Sequence, residues 1–144
     1  MRDEDEPDLD IVFIDVEYAA YNPRGFDIGN HFCEFSGFDY TLFSEKFPRK
    51  EAQMLFLKSY LARQREMEQG RGDSGASTGH GANQAELEAL HRECNAYALA
   101  SHLFWGLWAV IQGRNSAVDF DYMEYAKARF DAYFLEKPKI FGDA

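Results

Sequence analysis

Apolar and polar positions change their period several times along the chain, and each change predicts an element. Ile11 to Asp15 (IVFID) is a short run of β-branched and aromatic residues, the composition of a buried strand. AAYNPRGF follows, where Asn22-Pro23 and Gly25 supply turn chemistry. Asp27 is placed to N-cap a helix running through IGNHFCEF. Phe38 to Pro48 is aromatic and irregular. Pro48 or Arg49 can open the next helix, with Met54, Leu55, Leu57 and Leu61 as its apolar face. A long helix resumes near Gln84, with Leu87, Leu90, Cys94, Tyr97 and Leu99 approximately in helical period, and runs to about Gly113. The last helix covers roughly Asp119 to Glu136 and is ended by Pro138.

The pattern is mainly helical with one small β element at the start. Residues 1–10 read as an acidic, solvated tail, 11–139 as one body with a flexible Gly/Ser insertion at about 70–83, and 140–144 as a short tail. A lone strand cannot satisfy its own backbone groups. IVFID therefore needs a partner, none as strong appears downstream, and the expected partner lies upstream of this chain.

Composition narrows the class. At 144 residues the chain can bury a core, and 46% hydrophobic with 16% aromatic content argues against disorder for most of it. The formal charge is -10, and MRDEDEPDLD contributes six carboxylates against one arginine. With no basic stripe, a nucleic-acid backbone is a poor partner. An acidic surface suits a small cation better, although acidity for solubility alone is the commoner cause. Cys33 and Cys94 make no disulfide framework and fit a reduced, cytoplasmic compartment. No signal peptide is visible, and the most apolar stretch, Tyr97 to Gln112, is shorter than the roughly 20 residues a bilayer span needs. The expectation is a soluble protein without stable membrane insertion.

Several residues could carry chemistry. Asp15 ends the apolar run, where a carboxylate can present charge to a cleft, as a Mg²⁺ site in phosphoryl transfer requires; a strand-terminal Asp is more often a turn former. Glu17, two residues on and on the same side of an extended chain, could support a metal or simply face water. Trp105 and Trp108 are three apart on one helix and share a face. Tyr125, from the following helix, could pack antiparallel and bring its ring nearby. Aromatic walls of this kind attract a quaternary ammonium, although plain core packing is the commoner role of a Trp-x-x-Trp pair. Glu34 lies among His31, Phe32, Phe35 and Phe38 and needs a partner, which a ligand ammonium, Arg24 or a backbone amide could supply. The spacings of His31, Cys33, His91, Cys94 and His102 match no structural zinc signature. The RGD at 71–73 lies in low-complexity sequence and is a poor adhesion candidate. There is no nucleophile triad and no glycine loop to cradle phosphates.

In order along the chain, these blocks are familiar. VFIDVEYAAYNPRGFDIGNHFCEF at 12–35 resembles the segment that follows the catalytic loop of choline and ethanolamine kinases. ALASHLFWGLWAVIQ at 98–112 and VDFDYMEYAKARFDAYF at 118–134 resemble that family's last two long helices, so the likeness runs from about Ile11 to Lys139 apart from the insertion. The resemblance implies the C-terminal, substrate-binding lobe of a protein-kinase-like fold (the choline kinase/aminoglycoside phosphotransferase type), incomplete in this chain. It implies transfer of the ATP γ-phosphate to the hydroxyl of choline or ethanolamine in phospholipid biosynthesis, with Mg²⁺ as cofactor. On that match Asp15 is the Mg²⁺ ligand at the ATP phosphates, with Glu17 as a further candidate, and Asp27 braces the catalytic loop. Glu34, Trp105, Trp108, Tyr125 and Tyr40 line the ammonium pocket.

The family's base and second metal ligand belong to an H-x-D-x-x-x-x-N segment, and none precedes Asp15. The base is expected upstream, and the chain alone is expected not to turn over ATP. NHFCE and ARFDAYF lean towards choline kinases, while VFID and VDFDY lean towards ethanolamine kinases. A homodimer is a further expectation. The competing readings are a sugar- or aminoglycoside-directed phosphotransferase and a non-catalytic remnant acting as an interaction module.

Overall fold

The computed structural model describes residue 12 and residues 14–37, 43–70 and 83–142. The acidic tail, Tyr40, the RGD and the Gly/Ser insertion at 71–82 lie outside the described residues.

Pro23, with φ near -55°, opens α1 (Arg24–Cys33), and its carbonyl accepts from Phe26 N at 2.9 Å. The helix thus starts three residues before the expected Asp27 cap. A proline preset for helical φ competes successfully with a side-chain cap. Asp27 lies instead in the first turn, on the exposed face, where its charge still complements the helix N-terminus. The chain then tightens into a 3-10 turn, Glu34–Ser36, closed by Gly37 at φ +55°, a conformation that glycine adopts freely. α2 is a single turn, Phe43–Lys46, and α3 covers Lys50–Gly70. Asn83 caps α4 (Gln84–Asn115) by accepting from Glu86 N at 2.7 Å, and Asp121 caps α5 (Tyr122–Phe141) by accepting from Glu124 N at 3.0 Å. α5 runs through Pro138 rather than stopping before it. At the last turn a proline removes one bond only, and Gly142 N still donates to Pro138 O at 2.8 Å.

The IVFID run forms no strand among the described residues. Val12 and Ile14 are 74% and 77% exposed, with no partner strand beside them among the described residues. Asp15 sits at φ +56°, in the left-handed region, and the chain then turns at Glu17 and Tyr18, with Ala19 N donating to Val16 O at 2.9 Å. A turn here removes the extended geometry that would have aligned Asp15 with Glu17.

α4 is the spine. Its N-terminal half joins α1 and α3 in a hydrophobic core of Ile28, Phe32, Leu57, Leu61, Leu87, Leu90 and Cys94. Met54, Leu57 and Leu61 share a face of α3, whereas Leu55 projects elsewhere and is exposed. The buried Gln53 side chain ties this end together, donating to Pro48 O at 2.7 Å and accepting from Asn95 Nδ2 at 2.8 Å. α1 crosses α4 at Gly29, where a Cβ would stand 2.5 Å from Cys94 O. Only a missing side chain permits that backbone approach.

α5 returns antiparallel along the C-terminal half of α4. Gly113 faces Tyr122 and Met123, and seven residues earlier Gly106 faces the ring of Phe130. By length and composition α4 is the one helix among the described residues long and apolar enough to cross a membrane. In the fold, Leu87, Leu90, Cys94, Ala98, Leu99, Ser101, His102, Gly106 and Ala109 are buried.

Candidate functional site

The helical spacing of Trp105 and Trp108 sets their rings edge to face, with centroids 5.5 Å apart. The rings continue from neighbour to neighbour around a cavity. Trp108 meets Tyr122 at 5.8 Å, Tyr122 meets Phe120 at 4.9 Å, and Phe120 meets Tyr125 at 5.7 Å. Tyr18, just after the Asp15 turn, lies edge-on to Trp105 at 5.5 Å. The half-open space, about 360 Å³, is lined by Trp105 and Trp108 of α4, by Val118 and Phe120 of the connection, and by Tyr122 and Tyr125 of α5, together with Asn30, Glu34 and Gly37. Glu34, Trp105, Trp108 and Tyr125 thus converge as the sequence predicts. Tyr40 lies outside the described residues.

Polar ties fix the walls. Asn30 Oδ1 accepts from Trp105 Nε1 and from Ser101 Oγ, each at 2.7 Å, which holds the indole by its edge. Trp108 Nε1 donates to the Tyr18 hydroxyl at 2.8 Å. With both indole N–H groups satisfied, the ring faces remain available to the cavity, and Trp105 and Trp108 are only half-buried.

Behind the cavity lies Arg129, 1% exposed. Its Nη2 donates to Glu34 Oε1 at 2.8 Å and its Nε donates to the Tyr125 hydroxyl at 2.9 Å. The guanidinium carbon stands 4.5 Å from the Phe43 ring centroid and 5.2 Å from that of Tyr125. Among the described residues Glu34 pairs with Arg129 on α5 rather than with Arg24 or a backbone amide. A buried charge needs such compensation. Burial works against the charge of Arg129, yet Tyr125, Cys33 and Glu34 more than offset that and raise its pKa. Burial likewise raises the pKa of Tyr125. Next to the guanidinium, His102 Nδ1 is 3.5 Å from Arg129 Nη1 and its Nε2 is 3.7 Å from Cys33 Sγ. Burial, then Arg129, pushes the imidazole down to about 3, so it is neutral, and burial pushes the Cys33 thiol up to about 11.

A larger hollow, about 690 Å³, lies beyond His102, among Phe43, Phe47, Leu99, Ile140 and Phe141 with a charged rim. There Lys139 pairs with Glu136 at 2.7 Å, and no ring of aromatic faces converges on a carboxylate. The smaller, aromatic cavity has the recognisable chemistry.

Sequence reasoning missed Arg129, Asn30, Phe120, Tyr122 and Tyr18. Tyr122 could have been found, since it precedes Tyr125 by three on the same helix. Asn30 and Arg129 show no such signal, because their roles depend on how α1 and α5 seat against α4.

Asp15 and Glu17 are exposed, and among the described residues no group of three or more His, Cys, Asp or Glu side chains could hold a metal. Mg²⁺ often takes only one or two protein carboxylates, with waters and substrate phosphates as its other ligands. An exposed, hard oxygen donor three residues from Tyr18, whose ring meets Trp105 and whose hydroxyl meets Trp108, fits a cation carried in with nucleotide phosphates.

The model of the choline/ethanolamine kinase family matches residues 2–134, so the chain belongs to that family. The chain is 48% identical over 132 residues to "Probable ethanolamine kinase A" of Dictyostelium discoideum, covering 90% of this chain and 33% of that protein. With mouse choline kinase alpha it shares 42% identity over 139 residues, covering 90% of this chain and 29% of that one. A solved ethanolamine kinase of Plasmodium vivax superposes with a TM-score of 0.68 at 31% identity, covering 88% of this chain and 29% of the other. The helices thus form part of a kinase-family fold, and the chain spans about a third of the length of the curated relatives it matches.

Proposed function

We propose that this chain supplies the alkylammonium-binding part of a choline/ethanolamine kinase whose complete form transfers the ATP γ-phosphate to the hydroxyl of choline or ethanolamine. The observation that carries the reading is the convergence of Trp105, Trp108, Phe120, Tyr122 and Tyr125 on one cavity bearing the Glu34 carboxylate. Aromatic faces attract a quaternary ammonium, each contributing about 0.5–2 kcal/mol according to desolvation. A carboxylate oxygen adds Coulomb attraction and, for a primary ammonium, a hydrogen-bond acceptor.

In this reading the cavity holds the cationic end of the ligand and leaves its hydroxyl pointing out towards the nucleotide. Asp15 would hold Mg²⁺ at the ATP phosphates, with Glu17 near enough in sequence to support a bound water, and Asp27 would brace the catalytic loop. Bound Mg²⁺ neutralises phosphate charge during transfer. The protein's own part is to orient the ammonium, exclude water from its methyl groups, and hold the Glu34 carboxylate in place beside Arg129.

The family's H-x-D-x-x-x-x-N segment does not occur before Asp15 in this sequence, so the 144-residue chain by itself is proposed to bind ligand without phosphorylating it. Buried, free Cys33 and Cys94 support a reduced, cytoplasmic setting, and the products suit phospholipid head-group synthesis. The test is a phosphotransfer assay with Mg-ATP and either alcohol. The full-length parent should phosphorylate at least one, and the chain alone neither. Turnover by the chain alone would refute the division of labour.

A further inference from the structure

Arg129 has a place behind the cavity wall that packing alone does not require. A fully buried arginine is costly unless its charge is matched and its donors are used. Here the fork is used in two directions at once: Nη2 on Glu34 and Nε on the Tyr125 hydroxyl, with the plane held near the rings of Phe43 and Tyr125. Glu34 and Tyr125 both line the aromatic cavity, whereas Arg129 does not. Glu34 sits on the turn after α1 and Tyr125 on α5, so the guanidinium is what joins the two walls.

We propose that Arg129 is a positioning and preference-setting residue: it fixes Glu34 and Tyr125 as one wall and leaves Glu34 a single uncommitted oxygen towards the ligand. The inference rests on the alkylammonium reading of the cavity. Glu34 Oε1 is taken by Arg129, and Oε2 accepts no hydrogen bond among the described residues. The Glu34–Arg129 pair is neutral as a unit, so the ligand cation meets aromatic faces and a partly compensated carboxylate. A trimethylammonium group has no N–H to satisfy and tolerates that arrangement. A primary ammonium carries three donors and loses one acceptor to Arg129. Arg129 therefore biases the cavity towards the quaternary ligand. Lysine could not reproduce this, because an ammonium lacks the planar fork that reaches two acceptors in fixed directions.

The experiment measures choline and ethanolamine affinity of the 144-residue chain by calorimetry, for the unaltered chain, Arg129→Lys, Tyr125→Phe and Glu34→Gln with and without Arg129→Lys. Arg129→Lys should weaken choline about tenfold, the worth of one charge-assisted bond. It should also shift the choline-to-ethanolamine ratio about fivefold towards ethanolamine, roughly the effect of one hydrogen bond regained. On the Glu34→Gln background the same replacement should leave the ratio unmoved. A merely structural role would weaken both ligands alike, and an unchanged ratio overturns the inference while leaving the cavity reading intact. Should Arg129→Lys fail to fold, Tyr125→Phe decides: a loss of choline affinity of about threefold with a ratio shift in the same direction supports the wall, and none overturns it. Failure of the unaltered chain to bind either ligand overturns the cavity reading and this inference with it.

Discussion

The two halves of α4 are built on opposite principles. Towards its N-terminus the helix buries Leu87, Leu90 and Cys94 against Ile28, Phe32, Leu57 and Leu61, side chains without a directed polar requirement beyond the Cys thiol. Towards its C-terminus it presents Trp105 and Trp108, half-buried, with each indole N–H fastened to a named acceptor and each ring edge-on to a neighbour. The first region is closed and gains from having its surface removed from water. The second stays open, and its rings are held in place by hydrogen bonds rather than by burial. One helix thus carries a region that stabilises and a region that, in the proposed function, receives a ligand, with Asn30 and Glu34 following the crossing of α1 and α4 at Gly29.

The contrast is most exposed to test in the closed half. Leu90→Ala should cost about 2–5 kcal/mol, the range for deleting a buried leucine, measured by urea unfolding. Ligand affinity of the remaining folded protein should change little. Gly29→Val should cost about 1–3 kcal/mol through overpacking against Cys94 O, and should also weaken ligand binding, because Asn30 and Glu34 move with α1. If binding were unaffected while stability fell, the link between the crossing and the cavity would be broken.

The open half should behave in reverse. Trp108→Ala is expected to reduce choline affinity about 5–30-fold, by calorimetry, for the loss of one desolvated aromatic face. A melting temperature that collapses with the affinity would mark Trp108 as core rather than cavity wall.

His102 sits between the halves and gives a prediction in pH. Its folded pKa is near 3 and its ordinary value is 6.5. Below 6.5 the unfolded chain takes up a proton that the folded chain refuses, so the stability from burying neutral His102 is fully present at pH 7 and drains as pH falls towards 3. By pH 5 the loss amounts to about 2 kcal/mol. His102→Gln should flatten that part of the stability profile, measured by urea unfolding at pH 7 and pH 5. An unchanged slope would place the acid sensitivity elsewhere. The smallest effect is expected at the cap: Asn83→Ala should cost about 1 kcal/mol by the same measurement and leave binding alone.

Much of this could be read from the residues. The helices expected to open near Pro48 or Arg49, near Gln84 and near Asp119 follow from apolar period, although the last runs on through Pro138 to Phe141, and the tryptophans share a face because of their spacing. Convergence of Trp105, Trp108, Tyr125 and Glu34 followed from family likeness together with that spacing. What was not legible depended on three-dimensional seating. Arg129 reads as one more surface cation on a helix until α5 is docked and its stem is found buried. Asn30 is an ordinary helical residue until two donors from α4 meet its oxygen. Leu55 looked like core because adjacent leucines blur the period by one position. IVFID has strand composition, and composition cannot provide the neighbouring strand that would make it one.

The central claim is that the aromatic cavity recognises a positive charge. It is tested most directly by titrating the chain, followed by calorimetry, with choline and with 3,3-dimethyl-1-butanol, its neutral isostere of the same shape. Cation recognition predicts that choline binds at least about tenfold more tightly, and that Trp105→Ala and Trp108→Ala erase most of the difference. Equal affinity for the two would mean that the cavity reads shape and oiliness alone, and would contradict the account.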